Sequence, residues 1–277
     1  MIKELLFPLI LIIILMSSCK VNQEQTSNPE QEADNLLREV QTLIDNGSWR
    51  NALVLIDSIH ETYPDLKNQR NRAKNLSDSI TYLEAQRTAT YLDTLLPPLL
   101  DQVDKLIEQK FIYEKNDKYE NNGRFVHRLL STDKNTSRNF IQAYVRDDRM
   151  TIVKSYYYGN KPVIQNSVTL LAESEQIVFS GSNHHFTTQG HHEIMTLENE
   201  QALSFLNFIS THQESRIRVK GSGTDANSSW IYYLNEKEKN ALADTYRLGW
   251  LMKDIKQIEE MLDVAKNQIL NYEQKLK

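Results

Sequence analysis

Histidines and a glutamate crowd one short stretch, "SNHHFTTQGHHEI", residues 182–194, which holds four of the seven histidines in the chain. Imidazoles and a carboxylate at close spacing are the raw material of a metal site, a proton-linked switch or a polar hairpin. A hairpin turning at Thr188 and Gln189 sets His185 across from His192, and His184 across from Glu193, with successive pairs on opposite faces. One face then offers His185 and His192 to zinc or copper, and the other carries a His184–Glu193 pair. Two ligands fall short of the three of most catalytic zinc sites and the four of structural ones. An exposed polar hairpin with no cofactor is therefore the expectation, and a shift of one residue in the turn would change every partner.

Other chemistry-bearing patterns are few. "RDDR" at 146–149 reads as a hairpin turn, because adjacent carboxylates on a strand point opposite ways and do not make a general acid–base pair. "GSG" at 221–223 lacks the lysine and spacing of a phosphate loop and reads as a turn. No G-x-S-x-G elbow, H-E-x-x-H helix or calcium-loop pattern occurs. "RIRVK" at 216–220 puts Arg216, Arg218 and Lys220 on one face, either a solvated basic face or an anion or lipid-headgroup site. In "SYYYG", alternation sets Tyr157 opposite Tyr156 and Tyr158, so at least one ring belongs to the core. The exposed rings would suit a surface binder of glycan or peptide.

These residues fall in a β-rich segment between two long helices. Residues 123–131, 140–159, 163–174, 176–181 and 216–234 read as strands, followed after the histidines by a helix over 199–212. The expectation is a largely antiparallel sheet of six to eight strands. On its C-terminal side, Leu248, Leu251, Ile255, Ile258, Leu262, Ala265, Ile269, Tyr272 and Leu276 alternate three and four apart, a heptad seam. That helix starts at "NEKE", where Asn235 can cap and Glu238 can reach back, and would be ~60 Å long. Leu76, Ile80, Leu83, Leu92, Leu96, Leu99, Val103 and Leu106 supply a matching seam. Pro97 and Pro98 are expected to end that helix near Leu95 or kink it sharply. An antiparallel pair within the chain is the simpler arrangement, and a homodimer through the C-terminal helix competes with it.

Residues 33–64 read as two helices around "DNGSW". They resemble a single tetratricopeptide-type repeat: Gly47 in the turn, Trp49 after it, Ala52 at the close helix approach and Pro64 at the end. The resemblance implies structure and not catalysis, and one repeat must bury its apolar face on the next helix.

The first nineteen residues, "MIKELLFPLILIIILMSSC", have a short n-region, an apolar run from Leu5 to Met16, and small residues before Cys19. They resemble the lipobox of bacterial lipoproteins, which implies cleavage after residue 18 and acylation of Cys19. Cys19 is the only cysteine, so disulfide, thiol and Cys-zinc chemistry drop out of the mature chain. The net charge of −5 disfavours a nucleic-acid partner.

The expected class is α+β. A signal peptide spans 1–18, a tether 19–32, a helical hairpin plus first long helix 33–110, a head 111–235 and a C-terminal helix 236–277. The expected role is that of a membrane-anchored envelope protein, non-catalytic, serving protein–protein contact or assembly. Metal binding by the histidine hairpin is the alternative.

Overall fold

The computed structural model describes residues 28–276, apart from 117, 119, 120, 131–137, 188, 189, 226 and 227. Cys19 and the apolar run before it lie outside the described residues. The fold is α+β, with helices α1 (Pro29–Asp45), α2 (Trp49–Thr62), α3 (Lys67–Lys110), α4 (Asn199–Thr211) and α5 (Glu236–Lys275). Among the described residues, ten strands lie between α3 and α5: β1 (Phe111–Glu114), β2 (Arg124–His127), β3 (Phe140–Arg146), β4 (Thr151–Gly159), β5 (Gln165–Ala172), β6 (Glu175–Ser180), β7 (Ser182–Thr187), β8 (His191–Glu198), β9 (Ile217–Gly223) and β10 (Ser229–Tyr233). The chain divides into two compact units, one of the residues up to Glu84 with those from Asn271, the other of Ala85–Leu270.

In the first unit, helix begins earlier than expected. The Asn28 side chain accepts the Glu30 amide at 3.1 Å, Pro29 takes the first turn, and Glu30 and Glu32 meet the positive helix end. Residues 29–32 are therefore helix and not tether. The α1–α2 turn is a Schellman motif: the Gly47 amide donates to Ile44 O and the Ser48 amide to Leu43 O, with Gly47 at φ +72°. Leu37, Val40, Ile44, Ala52, Ile56 and Ile59 close on Ala73 and Ile80 of α3, so the hairpin buries its face on the next helix. Trp49 packs at the edge of this core, while Pro64 is exposed just beyond α2. Within the same unit the Tyr82 and Tyr272 rings stack at 4.7 Å, and Lys275 pairs with Asp78.

In the second unit, α3 and α5 run antiparallel. Ala85, Ala89 and Leu92 pack with Ile258, Leu262 and Ala265, and further along Leu106 and Val103 pack with Leu248, Leu251 and Ile255. The C-terminal seam is thus occupied within one chain. Helix α3 does not stop near Leu95 but runs through Pro97 and Pro98. Both rings face solvent, while Leu95, Leu96 and Leu99 on either side are held against α5, so packing holds the helical path despite two missing donors. The start of α5 is a capping box: Glu238 N–H donates to Asn235 Oδ1 and Asn235 N–H to Glu238 Oε2, each at 3.0 Å.

The strands form two antiparallel sheets in place of one. The six-stranded sheet has order β1-β2-β3-β4-β8-β7 and the four-stranded sheet β10-β9-β5-β6. Their inner faces and α4 share a core that includes Val153, Met195, Leu197, Val168, Leu170, Val219, Phe205 and Leu206. Tyr157 faces this core and lies over Trp230, while Tyr156 and Tyr158 point the other way, as alternation requires. The "GSG" at 221–223 is the end of β9 and not a turn. Gly221 and Gly223 point inward, where the Trp230 indole and the Val163 carbonyl occupy the space a Cβ would need.

Candidate functional site

Three features of the second unit bear on function: the histidine hairpin, a buried glutamate and an aromatic sheet face. Pairing of β7 with β8 differs by one residue from the expected register. Thr187 opposes His191, which leaves three residues in the turn, of which Thr188 and Gln189 lie outside the described residues. That one residue moves every partner, because side chains alternate with period two. His185 opposes Glu193, Phe186 opposes His192, and His184 opposes Ile194. His185 and His192 therefore occupy opposite faces and do not form the expected pair. Nor do His184 and Glu193.

His185 Nε2 on the edge strand β7 lies 3.1 Å from His191 Nδ1 at the start of β8, the two rings nearly parallel. Among the described residues no group of three or more His, Cys, Asp or Glu side chains converges as metal ligands would. Glu193 has a different role. It is fully buried, and its carboxylate accepts the backbone amides of Val163 at 2.6 Å and of Ile164 and Gln165 at 2.7 Å each. Ile164 sits at φ +54°, which bends the β4–β5 connection so that three successive amides meet one carboxylate. The sequence carried a signal for this, since Glu193 alternates with Met195 and Leu197 and so falls on the inward side of β8.

The paired aspartates of "RDDR" are turn residues. Asp147 accepts the Gly123 amide at 2.9 Å and the Tyr113 hydroxyl at 3.0 Å, and the Gly123 bond above all holds its carboxyl below the usual range. Asp148 caps the same turn through the Met150 amide and pairs with Arg146. His127 is buried, its Nδ1 accepting the Leu129 amide and its Nε2 facing Asp244 at 3.2 Å. Burial pushes the imidazole down, against the pull of Asp244.

The outer face of the six-stranded sheet gathers rings from four neighbouring strands. Phe140 stacks on Tyr156 at 4.3 Å, His192 lies between Phe186 at 4.8 Å and Tyr158 at 4.9 Å, and His184 flanks Phe186. Phe140 is buried, the middle rings are half-buried, and Phe186 and His184 are open to solvent. Burial raises the Tyr156 hydroxyl to about 12, so it remains protonated and donates to Gln142 Oε1. Toward β2, Arg124 and Lys154 each approach the Tyr144 ring to 5.5 Å, and a depression of about 310 Å³ opens between Arg124, Arg146, Tyr144, Asn121 and Asn122. Every one of β2, β3, β4 and β8 is paired on both sides, so a ligand on this face meets side chains and not backbone edges.

No family model matches the chain, and neither does a curated protein or a solved structure. The functional reading rests on the molecule alone.

Elsewhere in the second unit, a cleft of about 340 Å³ holds Arg149, Lys253, Lys256, Glu200 and Glu260. Two of its cations are matched: Arg149 grips Glu259 through both guanidinium nitrogens, and Lys253 meets Glu200 at 2.6 Å. Among the described residues, no helix is long and apolar enough to cross a membrane.

Proposed function

We propose that the protein is a lipid-anchored component of the bacterial cell envelope, held by Cys19, whose head is a non-catalytic module for binding a protein partner. The observation that supports the binding role is the ring series Tyr156, Tyr158, His192, Phe186 and His184 on one sheet face, bordered by Arg124 and Lys154. Aromatic and arginine side chains dominate the energetics of protein interfaces, because they bury large areas at little rotamer cost. Polar groups elsewhere in the head fit the same reading: Glu193, Asp147, Asp148 and His127 are each engaged in holding the fold.

The anchor and the binding face are tested separately. A clickable palmitate analogue fed to cells should label the protein and fail to label Cys19→Ala; label on the variant would overturn the anchor. For the face, the partner co-purifying with wild type is quantified with Tyr158→Ala/Phe186→Ala. Loss of about 2 kcal/mol per anchor ring would reduce the partner by tenfold or more. Equal recovery with both variants folded would remove this face from the function.

A further inference from the structure

The outer face of the four-stranded sheet differs in chemistry from the rest of the chain. Ser229, Ser222, Ser167 and Ser180 stand directly opposite one another across all four strands, a row of hydroxyls ~14 Å long at the usual strand spacing. Two residues along, Lys220 lies between Ile231 and Thr169, with Val178 beyond; in the next row Arg218 opposes Tyr233. Arg216 lies over the Tyr233 ring at 3.9 Å and adds a third cation. No strand position on this face carries a carboxylate, and among the described residues none of the three cations has an ion-pair partner. Ile231 and Val178 are about half exposed, at 49% and 54%. A chain of net charge −5 thus presents one sheet face of three cations, exposed aliphatics, a tyrosine and hydroxyls.

We infer that this face docks on an anionic lipid bilayer. A face spread across four strands suits an extended surface and not a small ligand. Cations that meet headgroup phosphates beside aliphatic and tyrosine side chains at the acyl boundary are the chemistry of interfacial binding. Each near-surface cation adds about fivefold in partitioning, ~100-fold for three. That is weak for a protein in solution and sufficient for one already tethered, because the tether raises the local concentration. The inference therefore rests on the anchored reading. The two sheets share their inner faces, so a docked four-stranded sheet leaves the aromatic face of the six-stranded sheet turned away from the lipid.

The single cysteine makes the test direct. Every element among the described residues lies beyond residue 27, so the chain from Cys19 on can be coupled through that thiol to maleimide lipid. The vesicles are either phosphatidylcholine or equal parts phosphatidylcholine and phosphatidylglycerol. Hydrogen exchange of β10, an edge strand on the docking sheet, should slow at least tenfold on the anionic vesicles only. The protection should vanish in high salt and in Arg218→Gln/Lys220→Gln, and Ile231→Ser should weaken it without altering charge. Exchange in β3 and β4 reports whether each variant is folded. Equal exchange on both vesicles overturns the inference, and so does matching protection by a soluble polyanionic glycan without lipid. Chemical coupling stands in for acylation, so a negative result here leaves the anchor to its palmitate test.

Discussion

At the scale of single residues, buried polar groups decide more than the exposed histidines do. Glu193 satisfies three backbone amides, those of Val163 and Gln165 in buried bonds and that of Ile164 in a part-buried one, so Glu193→Ala leaves two buried donors unpaired, each costing about 1–3 kcal/mol. Urea unfolding should show a loss of about 3 kcal/mol or more; a loss below 1 would mean the β4–β5 connection re-forms its bonds without the carboxylate. His127 sets a pH dependence. Burial lowers its folded pKa below the ordinary ~6.5, so below that pH the unfolded chain binds the additional proton. Its contribution to stability is therefore intact above ~6.5 and falls as pH drops, until the folded imidazole protonates as well. A thermal melt series from pH 7 to 5 should decline less steeply in His127→Gln than in wild type. Parallel declines would show that Asp244 keeps the ring charged in the fold. Asp147 acts in the same sense at the acid end: its depressed carboxyl stabilises the β1–β2 and β3–β4 turns above ~4 and gives way as pH falls further.

At the scale of elements, α3 and the β7–β8 hairpin show where pattern and packing part. Pro97 and Pro98 leave Asp93 and Thr94 carbonyls without their helical donors, and both rings face solvent. Pro97→Ala/Pro98→Ala restores two donors and removes two ring clashes, so stability should rise by about 1–3 kcal/mol. A fall would show that the prolines shape the seam against α5. Gly249 is the reverse case, a helix-weakening residue that packing requires. A Cβ there would meet Thr151 Oγ1 at 2.5 Å and Leu203 Cδ2 at 3.1 Å. Gly249→Val should cost about 2 kcal/mol, read as a lowered melting midpoint; an unchanged midpoint would mean α5 sits looser on β4 and α4 than this contact implies.

At the scale of the whole molecule, the α5 seam from Leu248 to Ala265 is buried against α3 of the same chain, which leaves little for a second copy. The chain from Asn28 on should sediment as a single chain at micromolar concentration. A two-chain mass abolished by Leu262→Glu would return the seam to a dimer. The two sheets expose unlike outer faces, one aromatic and one cationic, and each is proposed to meet a different partner.

The sequence by itself determined the α+β class, the α1–α2 hairpin with its glycine turn, the Asn235–Glu238 cap, and the placing of Tyr157 on the face opposite Tyr156 and Tyr158. All of these follow from local rules: helical or period-two spacing, capping chemistry and the φ that Gly47 can adopt. Tertiary structure alone decided the hairpin register, the helical path through Pro97–Pro98, the strand identity of "GSG" and the split into two sheets. Each of these depends on what lies across from a residue and not beside it. A three-residue turn set the partners of His185 and His192, the Trp230 ring required Gly221, and packing on α5 kept α3 helical across its two prolines. The same dependence hid Glu193: its spacing pointed inward, but the three amides that satisfy it come from a connection thirty residues away.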